Sequence, residues 1–407
     1  MTTPLIDHLE RELGEREAAG LLRVRRVIES AQGPRVHVDG RELVAFASND
    51  YLGLAAHPAV IAAAHRALDR YGVGAGASPM VCGHFAPHDA LEDALADFVQ
   101  PCANARALTF STGYLANLAI LSTLAGRDDA IFADRLNHAC LNDGALLSRA
   151  HFVRYPHGDV DRLDAALRST PARRRIIATD AVFSMDGEIA PLARLAALAE
   201  EHDAWLVVDD AHGFGVLGSA EAPGRGSLAR AGLRSERIVY MGTLGKAAGV
   251  AGAFVAAHEA VIETLVQRAR PYIYSTAAPP ALAAALLASL ELIRHDRARH
   301  AHLHALIARF RDRAKALPWT LLPSATAIQP IVLGNNALAL DLAALLCSRG
   351  FLVPAIRPPT VPVGTARLRV SLSAAHTAAD VDALLDALSE IARHEGVREP
   401  SMRAAAT

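Results

Sequence analysis

Short apolar runs alternate along the chain with segments in which apolar residues recur at helical spacing. The apolar runs are Ala107–Phe110, Ala130–Ala133, Arg175–Ala178, Trp205–Val208, Ile238–Met241 and Ala253–Ala256. The helical segments are Pro58–Tyr71, His88–Phe98, Tyr114–Leu124, Cys140–Leu147 and Leu192–Glu200. This alternation predicts an α/β domain with a largely parallel sheet covered by helices on both faces. In such sheets, ligands bind at the carboxyl ends of the strands.

The two ends of the chain carry different patterns. Near the N-terminus, Leu5–Leu22 has helical spacing, and Arg35–Phe46 predicts a hairpin around Asp39-Gly40. Beyond a long helical stretch, Pro279–Leu317, the pattern predicts a small α+β domain made of Ile328–Leu333, Leu340–Ser348, Leu368–Leu372 and Ala379–His394. We therefore predict an N-terminal arm at residues 1–45, a large domain at 46–285, a small C-terminal domain at 286–395 and a flexible tail at 396–407.

Composition and charge exclude several classes of protein. The 407 residues are 52% hydrophobic and 21% charged, which supports a large buried core and argues against disorder. A formal net charge of −2 gives no reason to bind nucleic acid or an anionic membrane. No signal-peptide pattern or membrane span is visible, so we expect a cytoplasmic protein. The four cysteines are widely spaced and predict neither a disulfide framework nor a zinc site.

Lysine is rare in this chain. Of the 41 Lys and Arg side chains, only two, Lys246 and Lys315, are lysine. An amine can form a Schiff base whereas a guanidinium cannot, so imine chemistry has two candidates. Lys246 ends the segment Met241–Lys246 (MGTLGK) after a predicted strand, a context that suits an aldehyde cofactor carrying a phosphate. Lys315 lies near Arg311 and Arg313 on a helix and fits a solvated surface charge.

Other polar residues gather near predicted strand ends. Asp209 and His212 follow the strand Trp205–Val208. A carboxylate there suits a cofactor's pyridine nitrogen, but metal ligation or a helix cap is an equal alternative. The segment Ser111–Tyr114 joins a strand to a helix, where backbone N–H groups favour phosphate, although an ordinary N-cap is the simpler interpretation.

Three further positions have both a functional and a structural interpretation. His138 is suited either to lie on a cofactor ring or to cap a helix. Phe183–Gly187 follows a strand and is, by itself, a polar turn. Arg367 and Arg369 alternate on a strand, so both face one side and form either a fork for a carboxylate or a solvated strand face.

Two patterns resemble binding motifs but lack the context that those motifs need. Gly72–Ala77 resembles a dinucleotide-binding glycine motif, yet it follows a predicted helix instead of a strand. The four histidines between His295 and His304 lie in Arg-rich surroundings without an H-E-x-x-H pattern. We therefore predict a solvated helix face there, and no metal site.

The order of the candidate residues is more specific than any one of them. Gly-Tyr, His, Ser, Asp-x-x-His, Thr-x-x-Lys and Arg follow one another between Gly113 and Arg369. In this order the chain resembles the α-oxoamine synthases, a family of pyridoxal 5′-phosphate (PLP) enzymes with the aspartate-aminotransferase fold, PLP fold type I. The resemblance extends from about Arg23 to Leu388. The segments that carry it are Ser48–Leu54, Phe183–Gly187, Val208–Gly213, Tyr274–Thr276 and Ala355–Pro362.

The resemblance implies a role for each residue of the series. Lys246 would form the imine with PLP and move the substrate α-proton, while Asp209 would pair with the pyridine nitrogen. His212 would bond the phenolic oxygen, and His138 would stack on the ring. The other cofactor residues would be Gly113, Tyr114, Ser184 and Thr243, with Ser275 and Thr276 reaching the phosphate in the neighbouring subunit of a homodimer. The substrate residues would be Arg23, Asn49, His138, Thr360 and Arg369, the last of them holding the amino-acid carboxylate.

The resemblance also implies the reaction. The form Arg357-Pro358-Pro359-Thr360 is typical of the branch that condenses L-alanine with a pimeloyl thioester, carried by CoA or acyl carrier protein, with loss of CO2. The sibling enzymes 2-amino-3-ketobutyrate CoA ligase and serine palmitoyltransferase are alternatives, as are a catalytically silent homologue and a nicotinamide dehydrogenase. One segment departs from the family, since Gly74–Pro79 (GAGASP) stands where GSGGSR is usual and lacks its arginine.

Overall fold

The computed structural model describes residues 3–394, which form two compact units. The central unit consists of residues 49–184 and 188–302, and the terminal unit of residues 3–48, 185–187 and 303–394. The tail predicted at 396–407 lies outside the described residues. No helix between residues 3 and 394 is long and apolar enough to cross a bilayer.

Strands and helices alternate over most of the chain. The strands are β1 (Arg35–Val38), β2 (Arg41–Ala45), β3 (Ala105–Phe110), β4 (Ala130–Asp134), β5 (His151–Tyr155), β6 (Arg175–Asp180), β7 (Ala204–Asp209), β8 (Ile238–Thr243), β9 (Ala253–His258), β10 (Thr320–Leu321), β11 (Ile328–Gly334), β12 (Phe351–Leu352), β13 (Ala355–Ile356) and β14 (Ala366–Ser371). The helices are α1 (Pro4–Ala18), α2 (Pro58–Tyr71), α3 (Ala86–Val99), α4 (Gly113–Leu124), α5 (Ala139–Ser148), α6 (Val160–Ser169), α7 (Leu192–Glu201), α8 (Ser227–Ala231), α9 (Glu259–Arg268), α10 (Arg270–Ile273), α11 (Pro280–His295), α12 (Arg297–Ala314), α13 (Asn336–Ser348) and α14 (Ala378–His394), with a π-helical turn at Pro79–Gly83.

The sheet of the central unit has seven strands in the order β3-β9-β8-β7-β6-β4-β5. β9 runs antiparallel to both neighbours, and the strands from β8 to β5 run parallel to one another. The inner strands are buried along nearly their whole length, as expected where helices cover both faces. Ile131, Ile176, Val207 and Val239 from four of these strands belong to one apolar core. The predicted α/β fold with a mostly parallel sheet is therefore confirmed.

Polar residues end four neighbouring strands of this sheet. β4 ends at Asp134, β6 at Asp180, β7 at Asp209 and β8 at Thr243. Because these strands are parallel and adjacent, their ends lie along one edge, where ligands of such sheets bind. All four residues are buried. Their polar groups therefore need hydrogen-bond partners at this edge.

The terminal unit contains two small sheets. One is antiparallel, in the order β10-β11-β14-β13, and the other has the order β1-β2-β12. Asp39 and Gly40, between β1 and β2, have φ angles of 51° and 71°, the left-handed pair that suits a two-residue hairpin. α13 contacts both β14 and α14. The predicted hairpin and the small α+β arrangement are confirmed.

Some elements differ from the sequence-based prediction. The periodicity does not predict β5, α6 or α9, because β5 is a partly exposed edge strand and α9 begins directly after β9. The stretch Pro279–Leu317 is almost all helix, as predicted, but it is divided at Asp296, whose carboxylate accepts a hydrogen bond from Arg299 N at 3.0 Å at the start of α12. The prediction that the histidines between His295 and His304 lie on a solvated helix face is wrong for His300. This residue is 4% exposed, and its ring forms a hydrogen bond with Ile293 O at 3.0 Å.

The two units also divide the chain differently from the predicted domains. Residues 3–48 belong with residues 303–394, because β2 pairs with β12 in one sheet. The other division falls inside α12, so α11 belongs wholly to the central unit. The boundaries at 46 and 286 stay predictions.

Candidate active site

A cavity of about 190 Å³ lies in the central unit, at the edge where the polar strand ends meet. Eight residues that the sequence predicts for the cofactor line it: Gly113, Tyr114, His138, Ser184, Asp209, His212, Thr243 and Lys246. Cys140, Asp180, Val182, Ala211 and Met241 complete the lining. The fold thus brings together residues that are spread over more than a hundred positions of the sequence.

The amine of Lys246 belongs to a short series of hydrogen bonds. Lys246 Nζ lies 2.9 Å from His212 Nε2, and His212 Nδ1 lies 2.7 Å from the Tyr51 hydroxyl. Tyr51 gives its one hydroxyl proton to Asn49 Oδ1 at 3.0 Å. This assigns the ring proton of His212 to Nδ1, which donates to Tyr51, and leaves Nε2 to accept from Lys246. The series therefore orients the Lys246 amine in the cavity.

Asp209, the last residue of β7, presents a carboxylate to the same cavity. Its Oδ2 accepts a hydrogen bond from Asn117 Nδ2 at 2.7 Å, and its Oδ1 accepts from Ala211 N at 3.0 Å. Only 5% of Asp209 is exposed. Two N–H donors stabilise the ionised form of a buried carboxyl group. Asp209 therefore presents an oriented carboxyl group at the strand end.

The neighbouring residue Asp210 does not line the cavity. It accepts hydrogen bonds from Ser227 N at 2.6 Å, from Ser227 Oγ at 2.5 Å and from the Tyr240 hydroxyl at 2.9 Å. Complete burial raises the pKa of Asp210 to about 7, although these hydrogen bonds lower it. Asp210 therefore ties the loop after β7 to α8 and β8.

The loop that follows β4 is attached to the end of β6. His138 N donates to Asp180 Oδ2 at 3.0 Å, and Asn137 Nδ2 donates to Ala178 O at 2.8 Å. Burial raises the pKa of Asp180 well above its usual range, and the nearby Asp209 adds to this effect. Burial also lowers the pKa of His138. The His138 ring therefore enters the cavity from a fixed backbone.

The start of α4 gives the cavity a feature that suits an anionic group. Gly113 and Tyr114 begin α4, whose N-cap residue Thr112 accepts a hydrogen bond from Leu115 N at 3.2 Å. The N-terminus of a helix favours phosphate through its N–H groups and its dipole. Thr243 adds a hydroxyl, which donates to Gly252 O at 3.2 Å.

Ser275 and Thr276 lie elsewhere in the central unit. They line a second, smaller cavity of about 40 Å³ together with Pro79, His88 and Ser111. A single chain therefore does not bring them to the cavity of Lys246. Pro79, the position that departs from the family, belongs to this second cavity.

The other predicted substrate residues belong to the terminal unit. Arg23 NH2 donates to Thr360 Oγ1 at 3.3 Å, and the buried Arg369 donates to Ser371 Oγ at 2.9 Å. Arg367, which the sequence pairs with Arg369 as a fork, instead contacts Asp186 Oδ1 at 2.6 Å. The side chain of Arg367 is thus paired with a carboxylate of the terminal unit.

Sequence reasoning missed four residues of the site. Asn117 could have been found as the amide in an otherwise apolar helix, and Asp180 as the carboxylate ending an apolar strand. Tyr51 lies in a segment that carries the family resemblance, but nothing local assigns it to a histidine far along the chain. Cys140 gives no local signal.

His157 bridges two loops near this edge. Its Nδ1 lies 3.0 Å from Asp134 Oδ1 and its Nε2 lies 3.2 Å from Glu188 Oε2. Its ring meets Phe183 edge-on, with the ring centroids 4.4 Å apart. The hydrogen bond to Asp134 raises the pKa of His157 to about 9, against the opposing effect of burial. The protonated ring of His157 therefore holds Phe183 in place, and Phe183 lies next to Ser184 of the cavity.

The residues of the cavity fit the PLP that the resemblance implies. An amine, a buried carboxylate and a histidine that can bond the phenolic oxygen lie together, beside a helix N-terminus that suits phosphate. His138 adds a flat ring whose pKa is lowered by burial. Among the described residues, Lys246 is the only lysine in this cavity.

Comparisons with known proteins found related chains over nearly the whole length of this one. The family model for aminotransferases of class I and II matches residues 41–388. An 8-amino-7-oxononanoate synthase of Janthinobacterium sp. (strain Marseille) is 57% identical over 394 residues, covering 96% of this chain and 99% of that protein. The enzyme of the same name from Burkholderia thailandensis is 59% identical over 387 residues, covering 94% and 98%.

Solved structures show the same fold. A structure of serine palmitoyltransferase (SPT) with its PLP internal aldimine matches with a TM-score of 0.89 at 32% identity, covering 96% of this chain and 98% of that chain. An 8-amino-7-oxononanoate synthase from Francisella tularensis matches with a TM-score of 0.74 at 33% identity, covering 87% and 99%.

Replacing His157 by Gln should destabilise the protein in a pH-dependent way. The folded pKa of about 9 lies above the ordinary value of 6.5, so the stabilisation is complete below pH 6.5 and is lost as the pH rises through 9. We expect His157→Gln to lower the free energy of unfolding by about 1–2 kcal/mol at pH 6 and by much less at pH 10. Urea denaturation at both pH values measures the difference.

The matched control is His8→Gln. His8 pairs with Glu12 at 3.4 Å on an exposed helix face, with 57% and 56% of the two side chains exposed. This change should alter stability by less than about 0.5 kcal/mol at either pH. An equal loss for His157→Gln at pH 6 and pH 10 would show that the charge of the ring is not what stabilises the bridge.

Proposed function

The chain belongs to the aminotransferase class I and II family, and from that premise we propose that it condenses L-alanine with a pimeloyl thioester to give 8-amino-7-oxononanoate, CO2 and the free thiol. This reaction is a step of biotin biosynthesis. The observation that carries the proposal is the identity of 57–59% with 8-amino-7-oxononanoate synthases over nearly the whole chain.

The cofactor is PLP, and the cavity of Lys246 is where it binds. Bound PLP supplies an electron sink that stabilises negative charge at the α-carbon of the amino acid. Asp209, which Asn117 and Ala211 N orient, would hold a proton on the pyridine nitrogen. Gly113 and Tyr114, at the start of α4, bind the phosphate.

Lys246 both holds the cofactor and moves a proton. Its Nζ lies 2.9 Å from His212 Nε2, which orients the amine while His212 Nδ1 is fixed by Tyr51. A general base must be within reach of the proton that it removes. The amine of Lys246, once released, accepts the α-proton of alanine at Nζ and later returns a proton to the product.

Three of the residues proposed to bind the substrates, Arg23, Thr360 and Arg369, belong to the terminal unit. A guanidinium matches a carboxylate with two parallel hydrogen bonds, so Arg369 holds the carboxylate of alanine. The hydrogen bond between Arg23 and Thr360 joins two residues that the family resemblance assigns to the substrate. Asn49, which accepts from Tyr51, and His138 are the substrate residues that belong to the central unit.

A second candidate function is that of a serine palmitoyltransferase. The structural match to SPT, with its TM-score of 0.89, favours it. The identity to that protein is 32%, against 57–59% for the 8-amino-7-oxononanoate synthases, so the second candidate ranks below the first. The choice between CoA and acyl carrier protein as the acyl carrier, and the cytoplasmic location, stay predictions.

The protein works as a homodimer in this proposal. Val73, Val81 and Tyr274 expose 78%, 77% and 72% of their surface, and they lie close in sequence to Pro79 and Ser275 of the second cavity. The turn Pro79–Gly83, which carries Val81, contacts α10, the helix directly before Tyr274, and neighbouring exposed apolar side chains are typical of a protein contact. A partner covering them lets Ser275 and Thr276 reach its phosphate. A monomer in sedimentation equilibrium at micromolar concentration would contradict this arrangement.

Lys246→Arg keeps the positive charge but removes the amine. We expect turnover to fall at least about a thousandfold, because a guanidinium neither forms the imine nor takes up the α-proton. Borohydride reduction followed by peptide mass spectrometry should detect PLP on Lys246 in the wild-type protein and on no peptide of the variant.

Lys315→Arg is the matched control, since Lys315 is the only other lysine of the chain. Lys315 is 73% exposed and pairs with Asp312 at 3.0 Å, so arginine should replace it without loss of turnover. A Lys246→Arg protein that still forms the adduct at another residue would overturn the assignment of Lys246.

The substrate is tested by assaying purified protein with every pairing of three amino acids and three acyl donors. Alanine, glycine and serine are each combined with pimeloyl-, acetyl- and palmitoyl-CoA, and release of CoA thiol is measured. We expect turnover with alanine and pimeloyl-CoA to exceed that of every other pair by at least about tenfold, a difference of about 1.4 kcal/mol in activation free energy. Turnover confined to serine and palmitoyl-CoA would favour the second candidate.

A further inference from the structure

Four side chains of the central unit form a continuous series of hydrogen bonds that ends on His138. Asn117 Nδ2 lies 2.7 Å from Asp209 Oδ2 and 3.1 Å from Cys140 Sγ. Cys140 Sγ lies 2.8 Å from His138 Nδ1. All but Asn117 line the cavity of Lys246, and Asn117 is itself fully buried. The series thus connects the carboxylate at the end of β7 with the imidazole after β4.

The direction of each hydrogen bond follows from the first member. An ionised carboxylate only accepts, so the atom of Asn117 that faces Asp209 is the amide nitrogen. That nitrogen has a second N–H, which points to Cys140 Sγ and makes the sulfur an acceptor. The one S–H proton of Cys140 therefore serves its other neighbour, His138 Nδ1.

A second contact fixes the same direction independently. The backbone N–H of Cys140 donates to His138 Nδ1 at 3.3 Å. A nitrogen that accepts from a backbone N–H carries no proton of its own. A ring protonated on Nδ1 is therefore incompatible with both contacts from Cys140, and a neutral ring has its proton on Nε2.

The protonation states agree with this geometry. Burial raises the pKa of the Cys140 thiol, and Asp209 raises it further, so the sulfur keeps its proton. Burial lowers the pKa of His138, which favours the neutral ring, although Asp209 opposes this. Cys140 is therefore a donor, and not a nucleophile, in this cavity.

The geometry points to Cys140 as a positioning residue that, with Asn117, fixes His138 as the neutral tautomer protonated on Nε2. His138 N is held in addition by Asp180 Oδ2 at 3.0 Å, so both the backbone and the ring are fixed. The ring then offers one N–H donor, suited to a carboxylate or carbonyl oxygen of a substrate. The importance of that donor for turnover rests on the proposed function, whereas the tautomer itself does not.

The test begins with the cofactor-free protein, so its first result does not depend on activity. Protein labelled with [15N]histidine is examined by long-range 1H–15N correlation spectra, which distinguish a protonated from an unprotonated ring nitrogen. The signals of His138 are identified by their absence in His138→Gln. We expect an unprotonated Nδ1 and a protonated Nε2 in the wild-type protein at neutral pH. A proton on Nδ1 would overturn the inference.

Two substitutions of Cys140 then separate the effect of its S–H donor from the effect of its side-chain volume. Cys140→Ala removes the S–H but keeps the backbone N–H of residue 140, so Nδ1 should stay unprotonated while its signal shifts away from that of a protonated nitrogen, and kcat should fall roughly two- to tenfold, the effect of one neutral hydrogen bond. Cys140→Ser keeps a donor and should restore the wild-type signals and most of the lost kcat. Cys102→Ala, which removes another buried thiol outside the cavity, should leave the His138 signals unchanged.

The outcomes are distinct from those that bear on the reaction. If Cys140→Ala leaves the ring signals as in the wild type, or if Cys140→Ser behaves like Cys140→Ala, the role of the thiol is wrong whatever the activity. A second outcome concerns the reaction alone. If the wild-type ring is protonated on Nε2 and its signals respond to the Cys140 substitutions, but the protein does not condense alanine with pimeloyl-CoA, only the proposed function fails. If Cys140→Ala does not fold, the wild-type tautomer and Cys140→Ser still decide the matter.

Discussion

The cost of burying carboxylates at the ends of adjacent parallel strands governs this site. β4, β6 and β7 run side by side, so Asp134, Asp180 and Asp209 are buried along one edge of the sheet. A buried charge without hydrogen bonds costs several kcal/mol, so Asp134 and Asp209 are met by donors, whereas burial raises the pKa of Asp180 well above its usual range. The donors come from loops and helices distant in sequence, including His157 for Asp134 and Asn117 for Asp209. Satisfying the carboxylates therefore also fixes the loops that carry the other residues of the cavity.

Most of the fold could be predicted from periodicity, because buried parallel strands are almost continuously apolar and their covering helices are amphipathic or apolar. The hairpin at Asp39-Gly40 could be predicted because its turn needs two left-handed residues. β5 could not, since an edge strand with partly exposed residues lacks the apolar run of the inner strands. The break at Asp296 was also hidden, because the residues on both sides of it are helical.

The candidate site was predictable where its residues follow strand ends, as Asp209 and Lys246 do. It was not predictable where the partners meet only in the folded chain. Asn117 and Asp209 are 92 positions apart, and Tyr51 and His212 are 161 positions apart. Nothing in the local sequence specifies such pairings, since they depend on which helix covers which strand. The order of motifs along the chain predicts the candidate chemical residues, and the structure adds the residues that form hydrogen bonds with them.

Asp209 and Asp210 are adjacent in sequence, but only the carboxyl group of Asp209 lines the cavity. Successive residues of an extended strand point to opposite sides, so only one of the two faces the cavity. Asp210 is enclosed instead: a Cβ on Gly213 or Gly226 would come within 2.0 and 2.4 Å of its oxygens, so no side chain can replace those hydrogens. Burial raises the pKa of Asp210 to about 7, and the neighbouring Asp209 adds to this effect. Asp210 is therefore protonated more easily than an ordinary aspartate. Asp209 instead accepts hydrogen bonds from Asn117 and Ala211 N and lines the cavity, so its carboxylate is the one available to the proposed pyridinium nitrogen.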